Sequence, residues 1–436
     1  MSLFRIINLA RIIKGRMNEH YLKMVTRHTG IILGLSILFM LSLYKFIPVG
    51  WSRTFNFLTI ITLLLSILLI TSVIKNIQKT KYRPVLKNYA DRELPTVTVA
   101  IPARNETPEL EACLRSIIAC DYPKFEILVL DDCSSDRTPE IIRSFAHDGV
   151  RFIKGDDPNP NWLAKNQAYD KLADSATGEI IIFCGVDVRL GKYAIRALVS
   201  TLLSRKKQMI SVLPTRYHAD STVPIIQPMR YWWELALPRR LFNRPAVLST
   251  CWMIKRRILF DHGGFEAVHR AIIPEGYFAR ETIKDDGYTF IRADNLLDVQ
   301  STKSTNDQLD TAVRVRYPQL KHKLEWTMTA FFIEVLLFVF PILMLVSGFW
   351  MGLTFVQISS VITLIITILG HLMILKVTNP KKILIGLISW PIMIATELCI
   401  GLLSMYKYEF SEVIWKDRNI CEPVMHTIPK LPPTDG

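Results

Sequence analysis

The stretch FEILVLDDCSSD, Phe125 to Asp136, is where the reading of this chain starts. Glu126 to Leu130 reads as a buried strand, and it stops on two acids, Asp131 and Asp132. Small residues follow (Cys133, Ser134 and Ser135), then Asp136. Thr138-Pro139 reads as an N-cap and first-turn proline opening a helix. A buried strand that hands carboxylates to a loop before a helix is how open α/β sheets build ligand sites at their strand ends. Taken alone, the same letters also describe an acidic turn.

Upstream, TVTVAI (Thr96 to Ile101) alternates and is β-branched, a first strand, and PARNE (Pro102 to Glu106) turns away from it. Leu110, Cys113, Leu114, Ile117 and Ile118 then repeat at helical spacing, a stripe for core packing. DYPKF (Asp121 to Phe125) turns into the opening strand. Downstream, Arg151 to Ile153 is a third strand. Asn159 to Leu172, NPNWLAKNQAYDKL, is a loop feeding a helix. Gly178 to Val188, GEIIIFCGVDV, is an apolar strand ending on Asp187. Strands alternating with helices predict an α/β fold, a largely parallel sheet with helices on both faces.

Half of the 436 residues are hydrophobic, the mean hydropathy is +0.24 and the formal charge is +14. That is too apolar for an ordinary soluble enzyme. The apolar excess lies at the two ends, which predicts a membrane protein with a soluble middle. The basic residues form no stripe interleaved with aromatics, so nucleic acid is not an expected partner. The seven cysteines are scattered without a CxxC pair, which argues against a disulfide framework or a zinc site and fits a reducing compartment.

Residues 1–29 are basic, with Glu19 as their single acid: either a cytoplasmic tail, the simpler reading, or a short amphipathic helix on anionic lipid. Gly30 to Pro48 and Phe55 to Ile74 are long enough to cross a membrane, and a basic linker from Lys75 to Arg92 follows. The positive-inside rule then sets the domain at 93–326 in the cytoplasm. Residues 327–405 hold three further apolar stretches, Met328 to Val346, Thr354 to Leu375 and Ile383 to Met405, transmembrane or partly re-entrant. A tail at 406–436 ends the chain. Five crossings would put that tail outside, whereas a re-entrant stretch would leave it on the domain's side. Glu334 and Glu397 lie within the apolar stretches, either near a functional site or hydrogen-bonded between helices.

IPARNE, DYPKFEILVLDDCSSDRT, NWLAKNQA and ATGEIIIFCGVDV, in this order, resemble the membrane-bound family 2 glycosyltransferases of GT-A fold. The likeness is nearest to the branch that glycosylates carotenoid acids, hopanoids and ceramides. It covers about residues 95–300 and extends to IWKDR, Ile414 to Arg418, which is similar to a tail element of that branch. The resemblance implies a Rossmann-like nucleotide-sugar-binding domain inserted between N- and C-terminal transmembrane helices of a bacterial inner (plasma) membrane. It implies inverting, metal-assisted transfer of a sugar from a nucleotide sugar, UDP-linked by expectation, to a lipid acceptor. Asp132, with Asp131 behind it, would hold the nucleotide; Ala103 and Glu106 would flank it. Lys165 would add positive charge, and the Gly263-Gly264 loop would belong to the same donor site. Asp187 matches the last acid of the family's DxD element and would bind Mg²⁺ or Mn²⁺ on the diphosphate.

Two departures stand out. Gly185 takes the place of the first DxD acid. Where the family has a Glu-Asp pair, only Glu275 remains, next to Gly276; counting back from Gly287 puts Glu275 in the Glu slot, and counting forward from Gly263 puts it in the Asp slot. Glu275 is therefore the candidate base for the acceptor hydroxyl, and also a plain N-terminal helix acid. QPMRYW, Gln227 to Trp232, resembles the QxxRW motif of polysaccharide synthases but precedes the Gly-Gly loop, so it reads, through Arg239 and Arg240, as a membrane-surface segment. Arg314, Arg316, Lys321 and Lys323 read as positive-inside flanks that could also touch the diphosphate. The alternatives to the enzyme are a catalytically lapsed, transferase-like binding or scaffolding subunit and a polysaccharide synthase.

Overall fold

In the computed structural model, which describes residues 51–85, 89–157, 159–216, 234–236, 245–378 and 383–420, the opening stretch forms β2, Phe125–Asp131. Its four apolar residues, Ile127 to Leu130, are buried, with alternate side chains feeding two different cores. On its two sides β2 pairs in parallel with β1 (Val97–Ala103) and β3 (Val150–Lys154). β1 runs further than its alternating letters predict because Ala103 stays in register with Asp131. The sheet continues through β4 (Ile180–Cys184), β8 (Cys251–Lys255), β6 (Met209–Leu213) and β9 (Tyr288–Arg292), in the order β3-β2-β1-β4-β8-β6-β9. β8 alone is antiparallel to its neighbours, so the largely parallel sheet is mixed at that strand. A small second sheet, β5 (Val188–Leu190), β10 (Val299–Ser301) and β7 (Thr215–Arg216), brings Ser301 opposite Val188, beside Asp187.

The helix α2 (Thr107–Ile118) buries the stripe Leu110, Cys113, Leu114 and Ile117. The helix α3 (Thr138–Ser144) starts with Thr138 inside it and Arg137 at the N-cap position, so Thr138 is not the cap. Asp136 takes that role, its Oδ1 accepting Thr138 N–H at 3.0 Å. α4 (Ala164–Ser175), α5 (Ala194–Ser204), α6 (Arg256–Asp261) and α7 (Pro274–Lys284) complete the domain. An aromatic cluster of Tyr169, Phe183, Trp252, Phe265 and Phe278 packs one sheet face against α4 and α7. The same core runs on without a break into the apolar helices through Val73, Leu337 and Ile374.

Among the described residues, three helices are long and apolar enough to cross a membrane: α1 (Trp51–Thr80), α9 (Leu324–Met351) and α10 (Thr354–Thr378). They contain three of the expected spans. The last expected span, Ile383 to Met405, is broken into α11 (Ile383–Ile388) and α12 (Trp390–Phe410), with Pro391 at the start of the second piece. α12 lies along α8 (Thr305–Gln319). There Arg316 and Glu397 form a buried ion pair, Ser404 Oγ accepts Tyr317 N–H at 2.9 Å, and Tyr408 O–H donates to the Arg314 carbonyl at 2.7 Å. Glu397 is thus partnered within protein. Residues 1–29, the expected span Gly30 to Pro48, QPMRYW, and Arg239 and Arg240 lie outside the described residues.

Candidate active site

The carboxyl ends of β1 and β2 are laced into one unit. Asp132 N–H donates to the Ala103 carbonyl at 2.8 Å. Asn105 N–H donates to Ser134 Oγ at 3.0 Å, and Ser135 N–H donates back to Asn105 Oδ1 at 2.9 Å. Glu106 N–H donates to Thr138 Oγ1. Although burial works the other way, hydrogen bonds from Thr107 and Thr138 hold the Asp136 carboxyl down at about 2. The small residues of CSSD let the two loops touch, and Asn105 and Cys133 both take left-handed backbone (φ 51° and 54°), a strained conformation for residues with a Cβ. Asp131 caps this turn through Ser134 N–H, while its carbonyl accepts Gly155 N–H.

Asp132 and Glu106 are met by the C-terminal tail. β11 (Ile414–Trp415) and β12 (Arg418–Asn419) form a hairpin whose Arg418 takes both oxygens of Asp132, at 2.9 and 2.7 Å. Lys416 Nζ lies 2.9 Å from Glu106 Oε1. Arg104 locks the arrangement by donating to the carbonyls of Asp132, Cys133 and Lys416. Burial raises the proton affinity of both acids, and their cationic partners counter it. A sequence reading that took IWKDR as a likeness alone misses this contact, because nothing local ties residue 418 to residue 132.

Asp187 follows β4 on the same edge. Ser301 Oγ donates to its Oδ2 at 3.0 Å, and a Cβ on Gly185 would come within 2.5 Å of its Oδ1. An acid at 185 would force Asp187 to move. Among the described residues no group of three or more His, Cys, Asp or Glu is placed to hold a metal ion. One carboxylate suits a divalent ion that brings phosphate oxygens with it, not a resident metal.

Beside the hairpin lies a cavity of about 360 Å³ lined by Lys165, Glu234, Glu275, Arg314, Trp415 and Arg418 among others. Glu275, in the first turn of α7, is 2% exposed, and its Oε2 has no hydrogen-bond partner among the described residues. Burial raises its proton affinity; the nearby Lys165 and Arg314 pull it down and Glu234 pushes it up. Lys165 lies 5.1 Å from the Tyr169 ring; burial lowers its pKa, and Glu275 opposes that. A Cβ at Gly276 would face Ile273, Arg280 and Val247, two of which, Ile273 and Val247, line the same cavity. Arg314 reaches the cavity too, 5.2 Å over the Trp415 ring, which gives it a place beyond flanking a membrane span.

Glu234, a second buried carboxylate in the cavity, went unread in the sequence; it accepts Val247 N–H at 3.2 Å. Gly263 and Gly264 are not among the lining residues. With φ of 85° and 60° they turn the chain out of α6 toward the loop that carries Ile272 and Ile273, just ahead of Glu275 in α7. Asn166 fixes that loop from α4, its Nδ2 donating to the carbonyls of Val268 and Ala271 at 2.9 and 2.8 Å.

Residues 98–263 match the family described as Glycosyl transferase family 2, and they form a family 2 glycosyl transferase domain. A probable glycosyltransferase of Bacillus subtilis, YdaM, is 32% identical over 185 residues, 40% of this chain and 44% of that protein. The 4,4'-diaponeurosporenoate glycosyltransferase of Staphylococcus haemolyticus is 31% identical over 125 residues, 28% of this chain and 32% of its own length. The ceramide glucosyltransferase of Komagataella phaffii is 36% identical over 81 residues, 18% and 16% of the two chains. The chain thus spans less than half the length of each of these relatives. A Pyrobaculum calidifontis mannosyltransferase, solved with GDP-mannose and Mn²⁺, aligns with 81% of this chain and 100% of its own at a TM-score of 0.48 and 17% identity.

Proposed function

We propose, with the family 2 domain as premise, that this chain moves a sugar from a nucleotide sugar to a lipid acceptor at a membrane surface. The observation that carries the proposal is Glu275: a buried carboxylate, one oxygen without a partner, facing a cavity bounded by the strand-end acids' own ion-pair partner, Arg418. A raised proton affinity suits a general base, and burial shields the carboxylate from bulk water.

In this reading the nucleoside sits at the ends of β1 and β2 against Asp132, with Asp131 bracing the turn and Glu106 at its flank. The diphosphate lies toward Asp187. Mg²⁺ or Mn²⁺ bound there would neutralise the leaving diphosphate. The acceptor hydroxyl enters the cavity, gives its proton to Glu275 and attacks the anomeric carbon from the face opposite the nucleotide, inverting it. Lys165 keeps Glu275 ionised enough to act. A lipid acceptor is favoured by the three apolar helices, which share the domain's core, and by relatives named for diaponeurosporenoate and ceramide.

The test is direct. Full-length protein in membranes is given labelled UDP- and GDP-sugars, Mn²⁺ and a lipid extract, and glycolipid is measured. Wild type should make product and Glu275→Gln should not. If neither does while nucleotide still binds, the transferase reading is wrong and a binding subunit is the better description.

A further inference from the structure

The turn between β11 and β12 is used by nothing in the reaction as set out above. Lys416 and Asp417 both hold left-handed backbone (φ 49° and 62°), the pattern of a tight hairpin turn that ordinarily takes Asn-Gly. Two residues with full side chains hold it here, so what their side chains touch matters more than ease of turning. Lys416 pairs with Glu106 and also donates to the Asn105 carbonyl at 3.3 Å. Arg418 meets both carboxylate oxygens of Asp132 through one nitrogen, Nη1, and its Nη2 reaches the Asp132 carbonyl at 3.5 Å. Both cations thus sit on the acids that flank the donor in the proposed function.

We propose that Lys416 and Arg418 are donor-binding residues, held on Glu106 and Asp132 while the site is empty and turned onto the donor's diphosphate when a nucleotide sugar enters. The proposal rests on the donor site described above. A ribose or base that seeks Asp132 meets a carboxylate whose two oxygens already face a guanidinium. Displaced, Arg418 would be a cation with a side chain only 16% exposed and no partner, which is a costly state. A diphosphate removes that cost because it arrives with the nucleoside and offers the paired oxygens that a guanidinium fork fits. Arg418 already lines the cavity that holds Glu275, and Trp415 carries Arg314 into the same cavity, so the exchange is felt where the acceptor binds.

The experiment compares nucleoside with nucleoside diphosphate. Full-length protein in nanodiscs is titrated with uridine, UDP, guanosine and GDP, for wild type, Arg418→Ala, Arg418→Lys and Lys416→Ala. For Arg418→Ala, diphosphate affinity should fall roughly tenfold or more, while nucleoside affinity holds or rises because Asp132 has been freed. Arg418→Lys keeps the charge without the fork and should fall between. If Arg418→Ala does not fold, Lys416→Ala carries the test, since its pair with Glu106 is half-exposed. Unchanged diphosphate affinity in these variants, or an equal loss for nucleoside and diphosphate, overturns the proposal and leaves the hairpin a structural strap. A wild type that binds neither UDP nor GDP overturns the donor site itself, a different failure that the variants do not produce.

Discussion

A carboxylate buried as deeply as Glu275, with one oxygen unpartnered, costs the folded chain stability when ionised. Burial raises its pKa and Lys165 only partly offsets this. The folded state therefore holds the proton more tightly than the unfolded one. Stability then falls as pH rises from the ordinary glutamate value through the raised one. Glu275→Gln keeps the shape and removes the charge. It should raise the thermal unfolding midpoint at neutral pH while lowering turnover roughly 10²–10⁴-fold, with nucleotide affinity unchanged. The wild-type rate should fall on the acid side at a pH above the usual carboxylate range, because the base must be ionised to act. A lower midpoint for the variant would mean that Glu275 is a structural acid. Asp187 invites a second measurement at this scale. With a single carboxylate, Mn²⁺ should show no calorimetric binding to the donor-free protein and clear binding once UDP is present. Asp187→Asn should abolish the second without touching Glu275. Tight Mn²⁺ binding without nucleotide would refute the lone-ligand account. The sequence exposed both residues and the missing acid at 185. It left two counts open at 275 and 276, and a Cβ at 276 facing the cavity-lining Ile273 and Val247 is compatible with either.

Among the elements, the acid loop depends on a glycine that no motif marks. Gly155, at the end of β3, lies so close to β2 that a Cβ would stand 2.5 Å from the Asp131 carbonyl and 3.1 Å from Asp132 Cα. Both are backbone atoms and cannot swing aside. Gly155→Ala should cost about 1–3 kcal/mol in unfolding free energy and weaken UDP binding, because the shift lands on the two acids. An alanine variant with wild-type stability and affinity would mean that the loop is looser than its hydrogen bonds imply. The strands β1, β2 and β4 were legible because each is a mainly apolar run bounded by turn residues and buried in the middle of the sheet, while the edge strand β3, VRFIK, is only partly buried. The antiparallel β8 was not legible, since CWMIK has the same apolar letters whichever way the strand runs. The hairpin at 414–419 was visible only as a likeness. Its contacts span 286 positions, from Arg418 to Asp132, and no local periodicity reports a pairing of that length.

For the molecule as a whole, two of the ion pairs that join the apolar helices and tail to the domain bear on stability and topology. The first is the buried pair Arg316–Glu397 between α8 and α12. Removing Glu397 takes the counter-ion from a buried guanidinium that keeps Gln319 Oε1 at 3.1 Å, so Glu397→Ala should cost about 3–5 kcal/mol, whereas Arg316→Met with Glu397→Leu should recover most of it. Thermal unfolding in one detergent compares them, and equal loss in both would show that the charges are needed for more than pairing. The second link is Arg418 on Asp132, which puts residue 418 and the domain on one side of any membrane the helices cross. The chain leaves the domain at Leu324 and is back at Phe410. If α9 and α10 cross a membrane as one excursion out and back, α11 and α12 together must add no net crossing. The break before Pro391 and the docking of α12 on α8 fit a segment that returns to the side it started from. Of the two outcomes apolarity leaves open, five crossings with an outside tail would part Arg418 from Asp132, and a partly re-entrant stretch would keep them together. Single cysteines placed on a cysteine-free background test this by one-sided labelling. Positions 270 and 419 should react from the same face, and position 353, in the turn between α9 and α10, from the other. If 419 reacts with 353 and not with 270, the tail does not reach Asp132 in the membrane, and both the hairpin's role and this topology fall together.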